Sequence, residues 1–125
     1  MDKKKVLVID DSATVRQEVS QVLTKVGFEV LEASDGQIGA DVIDKDSSIS
    51  VVICDVNMPR MNGIDMLISV KRHAKNAALP ILMLTTDGQP ALIKKAKEAG
   101  ARGWVVKPFN PGQLVAAVQK LAGVT

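Results

Sequence analysis

Residues 51–59 read Val-Val-Ile-Cys-Asp-Val-Asn-Met-Pro, and the four apolar residues before Asp55 have the pattern of a strand buried on both faces. Asp55 stands where that run ends. A carboxylate is therefore expected at the carboxyl end of a buried strand, the edge along which open parallel sheets bind ligands.

Outward from this stretch the chain alternates two patterns. Residues 6–9 form a continuous apolar strand ending in Asp10 and Asp11, followed by Val15, Val19, Val22, Leu23 and Val26 at helical spacing, with Ser12 as cap and Gly27 as stop. Residues 28–33 read as a strand whose charged Glu29 and Glu32 suit the edge of a sheet. Ser34 and Gln37 have capping-box spacing and open a short helix carrying Ile38, Val42 and Ile43, which frays over residues 45–48. After Asp55 comes a loop of turn residues over 58–63, then a helix bearing Ile64, Leu67, Ile68 and Lys71. Pro80 introduces a strand over 81–84. Pro90 starts a helix holding Leu92, Ile93, Ala96 and Ala99, stopped by Gly100. A fifth strand covers 103–106, and Asn110 and Pro111 begin a last helix with Leu114, Val118 and Leu121 inward. Five strands alternating with five helices predict a doubly wound α/β fold with a parallel sheet, because each central strand needs cover on both faces.

Composition bounds the function. A chain of 125 residues predicts one domain, 1–125, with no output domain, so any signal must leave from its own surface. Apolar residues make up 46% and charged ones 24%, the balance of a chain that folds alone. The net charge of +2 is small and the basic residues are scattered, which argues against nucleic acid. The charged start over residues 1–5 and the lack of a long apolar run argue against a leader or a membrane span and predict a cytoplasmic protein. Cys54, the only cysteine, reads as core.

The strand ends gather the chemistry. Asp10 and Asp11 close the first strand, Asp55 the third, Thr85 and Thr86 the fourth, and Lys107 the fifth. Three carboxylates on one edge repel and need positive charge, which Lys107 or a divalent ion can supply. Oxygen ligands with few protein contacts suit Mg²⁺ or Mn²⁺. With a metal bound, Asp55 can attack phosphorus, the Asn57 carbonyl can join the ion, and Thr85 can hydrogen-bond the added phosphoryl group.

Asp10-Asp11, the Asp55–Pro59 run, Thr85 and the Lys-Pro-Phe run at 107–109, over essentially the whole chain, resemble the receiver domain of two-component response regulators. The likeness is nearest to the stand-alone chemotaxis type, in Asn-Met-Pro-Arg-Met-Asn-Gly at 57–63 and in residues 99–109. The resemblance implies a flavodoxin-like sheet of strand order 2-1-3-4-5. It implies that a histidine kinase or phosphotransfer domain donates a phosphoryl group to Asp55, with Mg²⁺ held by Asp10, Asp11, Asp55 and the Asn57 carbonyl, and Lys107 paired with the acyl phosphate. It further implies a cis bond before Pro108, a switch made by Thr85 and Trp104, and lifetime tuning by Asn57, Thr86 and Asp87. The target, such as a flagellar motor switch, would dock on the fourth helix, fifth strand and fifth helix. The protein would act as a monomer, with a phosphatase as a further partner, catalysing only its own phosphorylation and dephosphorylation.

Two positions depart from the commonest pattern: Trp104 stands where Tyr or Phe is usual, and Thr86 where a smaller residue is usual. His73 beside Arg72 reads as solvated, Lys94, Lys95 and Lys97 as a solvated or partner-binding helix face, and Met58 and Met61 as cover for the loop. A phosphate sink or relay uses the same residues. A metal-dependent phosphohydrolase would carry its nucleophile after the first strand in an Asp-x-Asp pattern, whereas this strand ends Asp-Asp-Ser. Flavin binding is disfavoured by a first loop without a phosphate cradle and by an aromatic content of 2%.

Overall fold

The structure, a computed structural model, describes residues 3–58 and 61–124; Pro59 and Arg60 of the expected loop lie outside the described residues. The chain runs β1 (Lys5–Ile9), α1 (Ala13–Lys25), β2 (Glu29–Ala33), α2 (Gly36–Lys45), β3 (Ile49–Cys54), α3 (Gly63–Lys71), β4 (Ile81–Thr85), α4 (Pro90–Glu98), β5 (Gly103–Val106) and α5 (Pro111–Ala122). All paired strands are parallel, in the order β2-β1-β3-β4-β5. A short 3₁₀ turn at Ala74–Asn76, not foreseen from the sequence, leads from α3 toward β4. Lys71 caps it, donating to the carbonyls of Asn76 and Leu79.

Alternation along the three central strands sorts the core into two layers. Val6, Val8, Val51, Ile53, Leu82 and Leu84 face one side, where Val19 and Leu23 of α1 and Leu114 and Val118 of α5 cover them. Leu7, Ile9, Val52, Cys54, Ile81 and Met83 face the other, under Ile43 of α2, Leu67 of α3 and Ala96 of α4. The edges are more open. Glu29 and Glu32 of β2 are exposed, and no residue of β5 is fully buried.

Capping follows the polar residues at helix starts, with one correction. Ser12, Asn62 and Asn110 accept from Val15, Asp65 and Gln113 N–H groups. For α2 the cap is Asp35, which accepts from Ile38 N–H at 2.9 Å, and not the expected Ser34. Packing sets this start. Gly36 and Gly39 share the buried face of α2 with Ile43, and a Cβ at Gly36 would lie 2.6 Å from the Met61 carbonyl oxygen. The same rotation leaves Ile38 39% exposed, away from the core the apolar spacing had suggested. Val26 likewise ends as the C-cap of α1, 44% exposed.

Two glycines differ in what a methyl group would meet. A Cβ on Gly63 would collide with the backbone carbonyl of Asp55, whereas one on Gly39 would meet the side-chain end of Ile9. Backbone cannot yield without moving Asp55, so Gly63→Ala should cost roughly 3 kcal/mol, the upper end of overpacking. Gly39→Ala should cost less, roughly 1–2 kcal/mol, since the Ile9 side chain can shift and helix propensity offsets part of the strain. Urea unfolding checks the order; a Gly63→Ala variant as stable as Gly39→Ala contradicts it.

Candidate functional site

Strand register builds the site. Ile9 pairs with Cys54, and Cys54 with Met83, so the next residues of β1 and β3, Asp10 and Asp55, emerge side by side at the carboxyl edge. Backbone bonds hold both there: Asp10 N–H donates to the Ala33 carbonyl and Asp55 N–H to the Ile9 carbonyl. Asp10 and Asp55 are buried, Asp11 is exposed, and one oxygen from each lies within 4.8 Å of the others.

Lys107 comes from farther off. It follows Val106, which pairs with Thr85, and its N–H donates to the Thr85 carbonyl at 2.9 Å. At about 4.8 Å per strand, β5 lies roughly 10 Å from β3. The extended lysine crosses the end of β4, and its Nζ donates to Asp10 Oδ2 at 2.7 Å and Asp55 Oδ2 at 3.2 Å. The other carboxylate oxygens are also engaged: Asp10 Oδ1 accepts from Ser12 N–H at 2.9 Å, and Asp55 Oδ1 from Val56 N–H at 2.7 Å. The Lys107–Pro108 peptide that follows is cis.

Burial pushes the Asp10 carboxyl above its ordinary value, opposed by the bonds from Lys107 and Ser12. Burial pulls Lys107 down, but the two carboxylates outweigh it and its value is raised. The two shifts differ in origin: burial raises Asp10, whereas the neighbouring carboxylates raise Lys107. Lys107 reaches two of the three clustered carboxylates, so three formal negative charges face one ammonium, and one divalent cation balances the remaining two. The donors are hard oxygens, the set that suits Mg²⁺ or Mn²⁺. The residues therefore fit such an ion.

The remaining candidates sit around this cluster. Thr85 is fully buried at the end of β4, its hydroxyl accepting from Asp87 N–H at 3.4 Å. The Asp87 carbonyl in turn accepts from the indole Nε1 of half-buried Trp104 at 3.0 Å. One residue's backbone thus joins the threonine hydroxyl to the indole. Asn57 is exposed beside Asp55. Thr86, also exposed, lines with Pro108 and Phe109 an apolar groove against Val15 and Val22 of α1. Met58 and Met61 pack onto the core beneath α2 and α3, and His73, Lys94, Lys95 and Lys97 are exposed. Cys54 is buried directly behind Asp55, and burial pushes its thiol far up.

Sequence reading missed Arg16. It reads as one more polar residue on the outer face of α1, yet its Nη1 donates to the Asp10 carbonyl at 2.6 Å and its Nε to Glu32 at 3.1 Å. No spacing marks it, because one partner lies just past the end of β1 and the other on β2. Gly63 was seen only as a turn residue; its closeness to the Asp55 carbonyl needs the folded loop.

Comparison with known proteins agrees in extent with this geometry. The family described as the response regulator receiver domain matches residues 6–119. A chemotaxis protein CheY homolog of Campylobacter jejuni is 38% identical over 120 residues, spanning 95% of this chain and 92% of that protein. Chemotaxis protein CheY1 of Helicobacter pylori is also 38% identical, over 95% of this chain and 97% of its own length. The structure of Vibrio cholerae chemotaxis protein CheY4 superposes with a TM-score of 0.90 at 41% identity, covering 96% of this chain and 99% of that one.

The ion pairs carry a pH signature. The Lys107, Asp10 and Asp55 side chains are 14%, 3% and 9% exposed, so Lys107→Met strands two buried carboxylates. It should cost about 3 kcal/mol at pH 7, the low end for breaking a buried pair, because Asp11 opens one side to water. Asp10 has a raised folded value, so the stability it withholds at neutral pH returns as pH falls through that value toward 3.8. Lys107, whose own value is raised above 10.5, keeps its charge throughout that range. Without Lys107 the Asp10 value rises further, so acidification returns more stability to the variant than to the parent, and the gap between them should shrink as pH falls from 7. Urea titrations across that range check it, and a gap that holds or widens contradicts the account.

Proposed function

The chain belongs to the response regulator receiver family, and from that membership we propose that it is a phosphorylation-controlled signalling module acting in chemotaxis, with Asp55 as acceptor. The observation that carries this reading is the Lys107 ammonium bonded to both Asp10 and Asp55 at the edge where three carboxylates converge. A histidine kinase or phosphotransfer domain is the donor. An Asp55 carboxylate oxygen attacks the phosphorus of its phosphohistidine, the P–N bond breaks with its electron pair returning to the imidazole, and an aspartyl phosphate forms.

Asp10, Asp11, Asp55 and the Asn57 carbonyl would hold Mg²⁺ or Mn²⁺, which when bound neutralises phosphoryl oxygens that otherwise repel the nucleophile. Lys107, poised between two carboxylates, shifts from Asp55 to the new phosphoryl oxygens, to which it donates as strongly as it did to the carboxylate. The Thr85 hydroxyl turns from the Asp87 amide to a phosphoryl oxygen. That movement pulls on the β4–α4 loop, and the Trp104 indole, held to the same residue, follows. Asn57, Thr86 and Asp87 frame the approach of water and set the phosphoryl lifetime.

The readout is the face made by α4, β5 and α5. β5 is an edge strand with α4 and α5 flanking it on opposite layers; its Val106 is 47% exposed, and Lys94, Lys95 and Lys97 of α4 are exposed. An exposed apolar residue on β5 and exposed lysines on α4 suit an acidic amphipathic segment of a target, such as a motor-switch protein. This surface favours target binding over the phosphate-sink or relay alternative, neither of which needs it. A phosphohydrolase is set aside, because Asp55 follows the third strand and the receiver family spans residues 6–119. No helix among the described residues is long and apolar enough to cross a membrane; we place the protein in the cytoplasm with its kinase.

Incubation with a small acyl phosphate and Mg²⁺ should add one phosphoryl group per chain, and Asp55→Asn should abolish it; equal labelling of that variant sinks the assignment. Beryllium fluoride with Mg²⁺ should shift the emission of Trp104 as its bond to the Asp87 carbonyl changes. An unchanged spectrum in protein shown to bind the fluoride argues against the coupling.

A further inference from the structure

Arg16 stands in the first turn of α1 with its side chain only 17% exposed, turned back over the sheet. Its guanidinium forks. Nη1 donates to the main-chain carbonyl of Asp10 at 2.6 Å, and Nε to Oε1 of Glu32 on β2 at 3.1 Å. The Arg16 backbone is anchored too, its N–H donating to the Ser12 carbonyl at 3.1 Å. One side chain therefore ties together the end of β1, the start of α1 and the neighbouring edge strand.

The carbonyl it grips belongs to the peptide linking Asp10 to Asp11. A peptide is planar, so fixing the direction of that carbonyl fixes the plane from which Asp11 leaves. The Asp10 side of the plane is held separately, by its N–H to Ala33 and by its carboxylate bonds to Ser12 N–H and Lys107. Lys107 and Ser12 aim the buried carboxylate, and Arg16 governs the turn that presents the exposed one. Ligand side chains whose supports are fixed lose less freedom on binding a cation, and such supporting contacts commonly change metal affinity 10- to 100-fold.

We propose that Arg16 is a positioning residue for the divalent-cation site: by bridging the Asp10 carbonyl and Glu32, it sets the Asp10–Asp11 peptide so that both carboxylates converge with Asp55. This rests on the reading of that cluster as a Mg²⁺ or Mn²⁺ site. The sign of the effect separates positioning from plain electrostatics. A guanidinium near three carboxylates repels a cation, so by charge alone its removal tightens binding. By positioning, its removal loosens binding.

Mn²⁺ titration followed by electron paramagnetic resonance reads bound ion directly, and metal-free melting temperature reports structural damage separately. Arg16→Met should bind Mn²⁺ about 10-fold more weakly than the parent, with a metal-free melting temperature near that of the parent. Arg16→Lys keeps the charge but not the fork, and should not restore affinity. Parent-like or tighter binding by Arg16→Met, or full recovery in Arg16→Lys, overturns the proposal. Should Arg16→Met fail to fold, Arg16→Lys decides: it keeps the positive charge and loses the fork, so charge alone leaves its affinity unchanged, and parent-like binding overturns the proposal. Absence of Mn²⁺ binding by the parent overturns the metal-site reading itself, and this inference with it, a result distinct from parent binding that Arg16 does not affect.

Discussion

The Lys107 ammonium is the contact on which the carboxyl edge depends. Parallel register sets Asp10 and Asp55 on adjacent strands, about 5 Å apart, where two ionised carboxylates at an effective dielectric near 20 repel by about 3 kcal/mol. Lys107 donates to both. It reaches them only because β4 ends at Thr85 and leaves the edge open for a side chain from β5 to cross. The lysine therefore links the ends of four of the five strands, β1 to β5. Anything that moves β5 against β1 changes the charge balance at Asp55.

A negative excess survives that contact, and the surrounding structure is arranged for it. No buried side-chain nitrogen or oxygen among the described residues lacks a partner. Every carboxylate oxygen of Asp10 and Asp55 accepts a hydrogen bond, so the protein itself fixes the direction of both carboxylates. Behind them the backbone of Asp87 connects the Thr85 hydroxyl to the Trp104 indole. Chemistry at the edge thus has a short physical route to the α4–β5–α5 face. The larger ring at position 104 is compatible with that route because its N–H supplies a donor that phenylalanine lacks.

Much of this was legible along the chain. Apolar runs of strand length, each closed by a charged or hydroxyl residue, mark the strands and their chemistry together, as at residues 6–11 and 51–55. Periodicity located the helices within a residue or two. It failed where packing overrode pattern: α2 turns Gly36 and Gly39 inward and leaves Ile38 out, because β1 and the loop after β3 come too close for side chains. It also failed for Arg16, whose partners are 6 and 16 residues away and share no periodic relation with it.

The sequence by itself determined the number and kind of elements, the two-sided burial of β1, β3 and β4, and which carboxylates, lysine and hydroxyl stand at strand ends. These follow from local properties: apolar period, capping chemistry and the turn residues between runs. Only the tertiary structure decided how those ends meet. Pairing Ile9 with Cys54 makes neighbours of two aspartates 45 residues apart, and the span of Lys107 across β4 gives them a shared cation. Distances of that kind arise from register and side-chain reach between strands, quantities that exist only once the sheet is assembled.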